Sequence, residues 1–365
     1  MKEPNDNRPL APRVDASLTD CDVTVDGHPL ECVRLTNGRG IEVSLLNLGA
    51  SIHRIKTPDR HGKIDDITLY CGDPSGYLSQ RAFLGATAGR YANRISQARF
   101  SLDGKLYRLT ANEGVHQLHG GPVGFDKRIW TTEYGVFDHI CYARFGLVSA
   151  AFDQGFPGEL KVTVEYRLGD DDRLEIDILA KTTAATHVNI TNHAYFNLSG
   201  DLFSSIADHQ VEIPAQQVCE IDKDCIPTGN LVKLTGSALN LQDSTELSVL
   251  LEELPPDLRD TGGFDHNYVF RDDKNLGKRA TLYHHGSGRK LSVFSTHPGL
   301  QFYTGNHLAD SNVFGPDGRQ YENHHGICME AQHFPDSPNH PQFPSTRLDP
   351  NETYHQVIVY QFCEE

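Results

Sequence analysis

Apolar and polar residues alternate with a period of two along much of the chain. VNITNHAYFNL (188–198) puts Val188, Ile190, Asn192, Ala194 and Phe196 on one side, and Asn189, Thr191, His193, Tyr195 and Asn197 on the other. That is the pattern of a strand with one face toward a core. Similar strand-like runs are ECVRLT (31–36), IEVSLLNL (41–48), RIWTTEYGVF (128–137), HICYARFGLVSAAF (139–152), LKVTVEYRL (160–168), RLEIDILAKTT (173–183) and YHQVIVYQF (354–362). Asn37-Gly38 separates the first two, and Asp103-Gly104 interrupts ARFSLDGKLYRLT (98–110). Both dipeptides are strong tight-hairpin signals.

Helical periodicity is sparse. STELSVLLEEL (244–254) is the best candidate, with Pro255-Pro256 as a stop, and PSGYLSQ (74–80) suits a single turn. Helices are not inserted regularly between the strands, which argues against a parallel α/β sheet. No repeat of a length that would signal a propeller or solenoid is evident. The chain has 365 residues, including 32 Gly and 19 Pro, enough turn formers for many short strands. The expectation is an all-β fold, one large antiparallel β-sandwich over 21–365. A polar, disordered N-terminal lead is expected over 1–20, where no apolar run resembles a secretion signal.

A formal net charge of −16 argues against nucleic acid as a partner and fits a neutral small molecule. The eight cysteines are scattered without a CxxC pair, as expected for free thiols in a reducing compartment. No apolar run is long enough to span a bilayer. Together these suggest a cytoplasmic protein. They leave open whether it is a monomer or a homodimer.

Four patches carry more chemistry than a sandwich needs. GATAGRYANRI (85–95) holds Arg90, Asn93 and Arg94 among small residues, and HQLHGGPVGFDKRIW (116–130) places His119 before a Gly pair. His193 and Tyr195 share one strand face. Glu330 sits in the apolar run ICMEA (327–331), although lone carboxylates are seldom buried without a partner. Asp265 in GGFDHNYVF (262–270) and Gln301 in LQFYTGNHL (300–308) add hydrogen-bonding groups beside aromatic rings. Such groups suit sugar hydroxyls and the apolar face of a pyranose. The nineteen histidines raise the possibility of a metal, but neither HExxH nor a closely spaced second ligand pair is present. Dinucleotide, P-loop and nucleophile-elbow signatures are also missing.

In this order the patches resemble the aldose 1-epimerase (galactose mutarotase) family. GATAGRYANRI, HQLHGG, TNHAYFNLSG, GFDHNY and ICMEAQHFPDSPN are similar to its arginine, first histidine, second histidine, aspartate and glutamate segments. EVSLLNLGASI, GFPGEL, QFYTGN and LDPNETYHQVIVYQF extend the likeness over nearly the whole chain from about residue 20. The resemblance implies a β-sandwich with an open groove, no cofactor and no metal. It also implies interconversion of the α and β anomers of free aldoses. Carried over, Glu330 is the general base, His193 the general acid and His119 an assistant on the ring-oxygen side. Arg94, Asn93, Asp265 and Gln301 hold hydroxyls, and Tyr195 lines the site.

Mutarotation takes a proton from the C1 hydroxyl and gives one to the ring oxygen O5, so a carboxylate and an imidazolium form a matched pair. Glu330 is expected to start ionised. His193 is expected to start protonated, with Glu330 or Asp265 holding its pKa near or above neutral. Competing readings are a non-catalytic sugar-binding module, an enzyme of phosphorylated hexoses, and a metal-dependent isomerase.

Overall fold

The computed structural model describes residues 14–272 and 274–365. Alternating burial along Leu160–Leu168 converts the period-two pattern directly into an inner and an outer strand face. That strand belongs to a nine-stranded sheet. Its order is Thr131–Phe137, Ile140–Ser149, Leu160–Leu168, Arg173–Thr182, Tyr354–Glu364, Arg289–Ser295, Gly277–His284, His209–Glu212 and Thr245–Glu246. A five-stranded sheet contains the first hairpins, with Thr36 opposite Glu42 across Asn37-Gly38. All neighbouring strands in both sheets are antiparallel.

A six-stranded sheet carries the site. Its strands are β1 (Tyr195–Phe196), β2 (Gln217–Ile221), β3 (Pro227–Lys233), β4 (Asp265–Val269), β5 (Gly299–Tyr303) and β6 (Ile327–Gln332), in the spatial order β1-β6-β5-β4-β2-β3. All six residues of β6 are buried. Ile327, Met329 and Ala331 join Leu300, Phe302 and Tyr268 in one core with Phe145 and Val164 of the nine-stranded sheet and Val33 and Val43 of the five-stranded one. Burying such a side chain stabilises by about 1.5–3 kcal/mol. Cys328, Glu330 and Gln332 consequently face the other way.

Three details depart from the pattern-based expectations. The polar lead does not extend to residue 20, because Asp15–Val25 is a strand in register with His28–Thr36; residues 1–13 lie outside the described residues. The helix at 244–254 shrinks to α1 (Ser248–Leu251), because Thr245–Glu246 pairs with the strand at 209–212. Pro255-Pro256 also starts a helix, α2 (Pro256–Arg259), with Pro256 in the first turn, where its missing N–H costs nothing. Lastly, 188–198 is not one strand. Thr191–Asn192 pairs with Thr87–Ala88, and Tyr195–Phe196 pairs with β6. Between them, Asn192 Oδ1 accepts the Ala194 N–H at 3.1 Å and its Nδ2 donates to Gly85 O at 2.8 Å. These local side-chain bonds replace the ladder.

Candidate active site

Two cross-strand rows of the six-stranded sheet converge on one cavity. Tyr195, Cys328, Tyr303 and Asp265 are successive partners across β1, β6, β5 and β4. Glu330, Gln301, Asn267 and Cys219 form the adjacent row across β6, β5, β4 and β2. Paired residues of an antiparallel ladder share a face, so register alone brings Asp265 and Glu330 together.

Loops supply the other wall. The His193 N–H donates to Ala86 O, and His193 O accepts from the Gly85 N–H, each at 2.9 Å. Gly85 must be glycine: its φ is +62° and a Cβ there would lie 1.8 Å from Ile52 O. The two remaining motifs clasp each other. The His119 N–H donates to Asn93 O, and the Asn93 N–H donates to His119 Nδ1, both at 3.1 Å. Gly120 permits that approach, since its φ is +87° and a Cβ would meet Gly89 O at 2.0 Å.

The cavity spans about 630 Å³ including its open mouth, within the usual range for small-molecule sites. Asn93, Arg94, His119, His193, Tyr195, Asp265 and Glu330 all line it. His193 Nε2 lies 3.5 Å from Glu330 Oε1, and the His193 ring is 5.0 Å from that of His119 and 5.1 Å from that of Tyr195. Among the described residues, Glu330 Oε2 has no hydrogen-bond partner. Arg94 forms a two-pronged pair with Glu113 at 2.6 and 2.9 Å, and its third nitrogen is 3.7 Å from Asp265. Gln301 lies opposite Glu330 across β5 and β6, and its amide donates to Asp265 Oδ1 at 2.6 Å, which orients that carboxylate. Arg90 is also buried, but it donates to the carbonyls of Pro157, Gly158, Ser149 and Ala150. It pins GFPGEL to the arginine motif and leaves the cavity to Arg94.

The charge states differ from expectation. Burial pushes His193 down to about 4, against smaller upward pulls from its own backbone and from Asp265. Burial also raises the Glu330 carboxyl well above its ordinary range; Asp265 adds to this and Arg94 opposes it. Desolvation therefore works against an ion pair at 3.5 Å, pushing both groups toward their neutral forms. Burial works against the Arg94 charge too, but Asp265 and Glu113 outweigh it and keep the guanidinium protonated.

His119, His193 and Glu330 place donor atoms within 4.8 Å of one another, close enough to consider a metal ion. The chemistry of the set does not fit one. His119 Nδ1 accepts a backbone N–H, and burial holds the ring neutral, so its proton sits on Nε2. Nε2 therefore presents a hydrogen into the cavity rather than a lone pair.

Four contributors escaped the sequence reading. Phe83, at a φ of +55°, turns its ring to within 4.5 Å of His119, forming a flat wall. Tyr303 and Cys328 follow from the period of two on β5 and β6, two residues from Gln301 and Glu330. Glu113 has no sequence signal, because only the fold brings it to Arg94.

Among the described residues, no helix is long and apolar enough to cross a membrane. The sequence profile of the aldose 1-epimerase family matches residues 31–361. Galactose mutarotase from Bos taurus is 40% identical over 325 residues, 88% of this chain and 91% of that protein. Aldose 1-epimerase from Escherichia coli K12 is 37% identical over 346 residues, 93% and 97% of the two chains. The fold recurs in an aldose epimerase homologue from C. elegans, with a TM-score of 0.81, 29% identity and coverage of 89% and 96%. It recurs again in galactose 1-epimerase from Lactobacillus acidophilus NCFM, with a TM-score of 0.84, 24% identity and coverage of 96% and 99%. A profile spanning almost the whole chain, together with relatives of this identity over nearly their full lengths, places the chain in the aldose 1-epimerase family.

Proposed function

We propose that the protein interconverts the α and β anomers of free aldohexoses such as glucose and galactose by acid–base opening and closing of the ring. The observation that carries this is Glu330 and His193 facing each other at 3.5 Å on the floor of a cavity otherwise walled by hydroxyl-binding groups. A module that only held a sugar would have no use for a buried carboxyl and imidazole so close together, since both incur desolvation and neither satisfies the other fully.

Sugar hydroxyls donating to the unpartnered Glu330 Oε2 favour its ionised form, and the displaced proton has a short path to His193 Nε2. Glu330 then takes the C1 hydroxyl proton while His193 gives its Nε2 proton to O5. The C1–O5 bond breaks with its electron pair on O5, and C1 becomes an aldehyde carbon. Rotation about C1–C2 presents the other carbonyl face, and the same transfers in reverse close the ring. His119 Nε2–H supports the ring-oxygen side. Arg94, Asp265 and Asn93 hold hydroxyls: Asn93 Oδ1 is taken by the Arg94 N–H at 2.8 Å, which leaves its amide hydrogens for the sugar.

The reaction is compatible with either a monomer or a homodimer. The eight free cysteines suit a cytoplasmic location. Polarimetry on freshly dissolved α-D-glucose, α-D-galactose, xylose and arabinose tests the proposal. At least one sugar should reach its anomeric equilibrium faster with protein than without, and His193→Asn should abolish the acceleration. No acceleration with any of the four would overturn it.

A further inference from the structure

His193 must keep one ring nitrogen constant while the other exchanges a proton with O5. Nε2 faces Glu330 and the cavity, so Nδ1 is the constant side. Cys328 Sγ lies 3.5 Å from Nδ1, with both residues fully enclosed. Cys328 and Glu330 are two residues apart on β6, so one strand face grips both sides of the imidazole.

We propose that Cys328 is the positioning residue for His193: its sulfur accepts the Nδ1–H and so fixes the tautomer in which Nε2 alone carries the catalytic proton. This rests on the mutarotase reading of the same site. A thiol is a weak acceptor. It orients the ring without stabilising the imidazolium as a carboxylate in that place would. O5 of a sugar is a very weak base, so an imidazolium left without a strong acceptor is the more effective acid toward it. In each turnover the Nε2 proton leaves for O5 as C1–O5 breaks and returns as the bond re-forms, while the Nδ1 hydrogen never moves. The titratable groups around the ring are Glu330 and Cys328 from β6, Tyr303 from β5, Asp265 from β4, Tyr195 from β1, and His119 and Arg94 from the clasped loops.

The test combines kinetics with nitrogen NMR on the full chain. In histidine-labelled wild type at neutral pH, the His193 signals, assigned by difference from His193→Asn, should report a hydrogen on Nδ1 and a bare Nε2. Cys328→Ala should lower kcat about tenfold or more, as losing a ring-orienting partner does at other histidine sites, with KM nearly unchanged and the tautomers mixed. Cys328→Ser retains an acceptor and should recover most of kcat. Cys328→Asp should move the acid limb of the kcat profile up by roughly 1–3 pH units. Wild-type kcat and tautomer in Cys328→Ala, or a hydrogen on Nε2 in the wild type, would overturn the proposal; the wild-type spectrum decides even where a variant does not fold. Full activity in His193→Asn would instead overturn the mutarotase site itself.

Discussion

Replacing Glu330 with Gln separates chemistry from folding unusually cleanly. The side chain is 3% exposed, and burial raises the carboxyl well above its ordinary range, toward its neutral form. Glutamine has the same shape and the same neutral charge, and it can still donate toward His193 Nε2. No buried charge is orphaned, so the thermal transition should barely move. What disappears is the ability to take the C1 hydroxyl proton. A positioned base contributes about 10²–10⁴-fold, and kcat should fall by that factor. At about 1.36 kcal/mol per tenfold, this is roughly 2.7–5.4 kcal/mol of barrier. KM should stay close to wild type, because Arg94, Asp265 and Asn93 still hold the hydroxyls. The assay is polarimetric equilibration of freshly dissolved α-D-galactose or α-D-glucose, with the spontaneous rate in buffer subtracted. A folded Glu330→Gln protein that equilibrates the anomers as fast as wild type would show that Glu330 is not the base.

Arg94→Ala should act mainly on KM, raising it by about 10- to 100-fold for a lost charge-assisted bond of roughly 1.5–3 kcal/mol; an equal fall in kcat instead would mean that Arg94 acts on the transition state. The pH profile of kcat should be flat through neutrality and decline as pH falls toward 4, where His193 and Glu330 together gain a second proton. Stability should also decline with acid. Burial lowers His187, His193, His266 and His333 from 6.5 to about 4, so the unfolded chain takes up protons first. Stability present above pH 6.5 is then lost as pH drops toward 4, at about 1.4 kcal/mol per unit for each histidine. The raised carboxyls of Glu330, Asp126, Asp172 and Asp336 oppose this, but burial also lowers His53, His119, His209, His297 and His325, so the histidines outnumber them. Denaturant midpoints that do not change between pH 7 and 5 would contradict it. Dialysis against EDTA should leave the rate of anomer equilibration unchanged, and a loss restored by a divalent ion would reverse the assignment of the His119 tautomer.

Local pattern made the strands legible, because period-two burial is a property of a few consecutive residues. It failed at 188–198, where Asn192 spends both ends of its amide on nearby backbone and cuts the strand in two. His193 and Tyr195 still share a side, because the chain remains extended around them and their rings lie 5.1 Å apart. The motifs pointed to residues that the fold gathers around one cavity, among them Asn93, Arg94, His119, His193, Tyr195, Asp265 and Glu330, with Gln301 bonded to Asp265. Glu113 and Phe83 were out of reach: the first meets Arg94 only through the loop clasp, and the second depends on a left-handed backbone at a bulky residue. Charge was the least legible property. From sequence, a carboxylate beside a histidine suggests an ion pair. Burial reversed that, because desolvation depends on everything packed around the pair.

That reversal bears on how the site works. A solvent-exposed glutamate and histidine at neutral pH would differ in proton count from moment to moment, exchanging with water independently. Enclosure holds His193 and Glu330 to a single mobile proton over a wide pH range, since a second is resisted until pH nears 4 and loss of the first is resisted by the raised carboxyl. One proton is what ring opening needs. With the sugar closed it belongs on His193, ready for O5; once the ring is open, Glu330 holds the proton taken from the C1 hydroxyl and His193 is bare. Burial favours the second distribution, in which both groups are neutral. The enclosed pair is thus better suited to the open-chain stage of the reaction than to either closed anomer. This is the form of complementarity that accelerates a step rather than merely tightening the hold on substrate. It also gives Arg94 a second role besides gripping hydroxyls: its positive charge pulls Glu330 back toward ionisation, and so keeps the closed-ring distribution within reach.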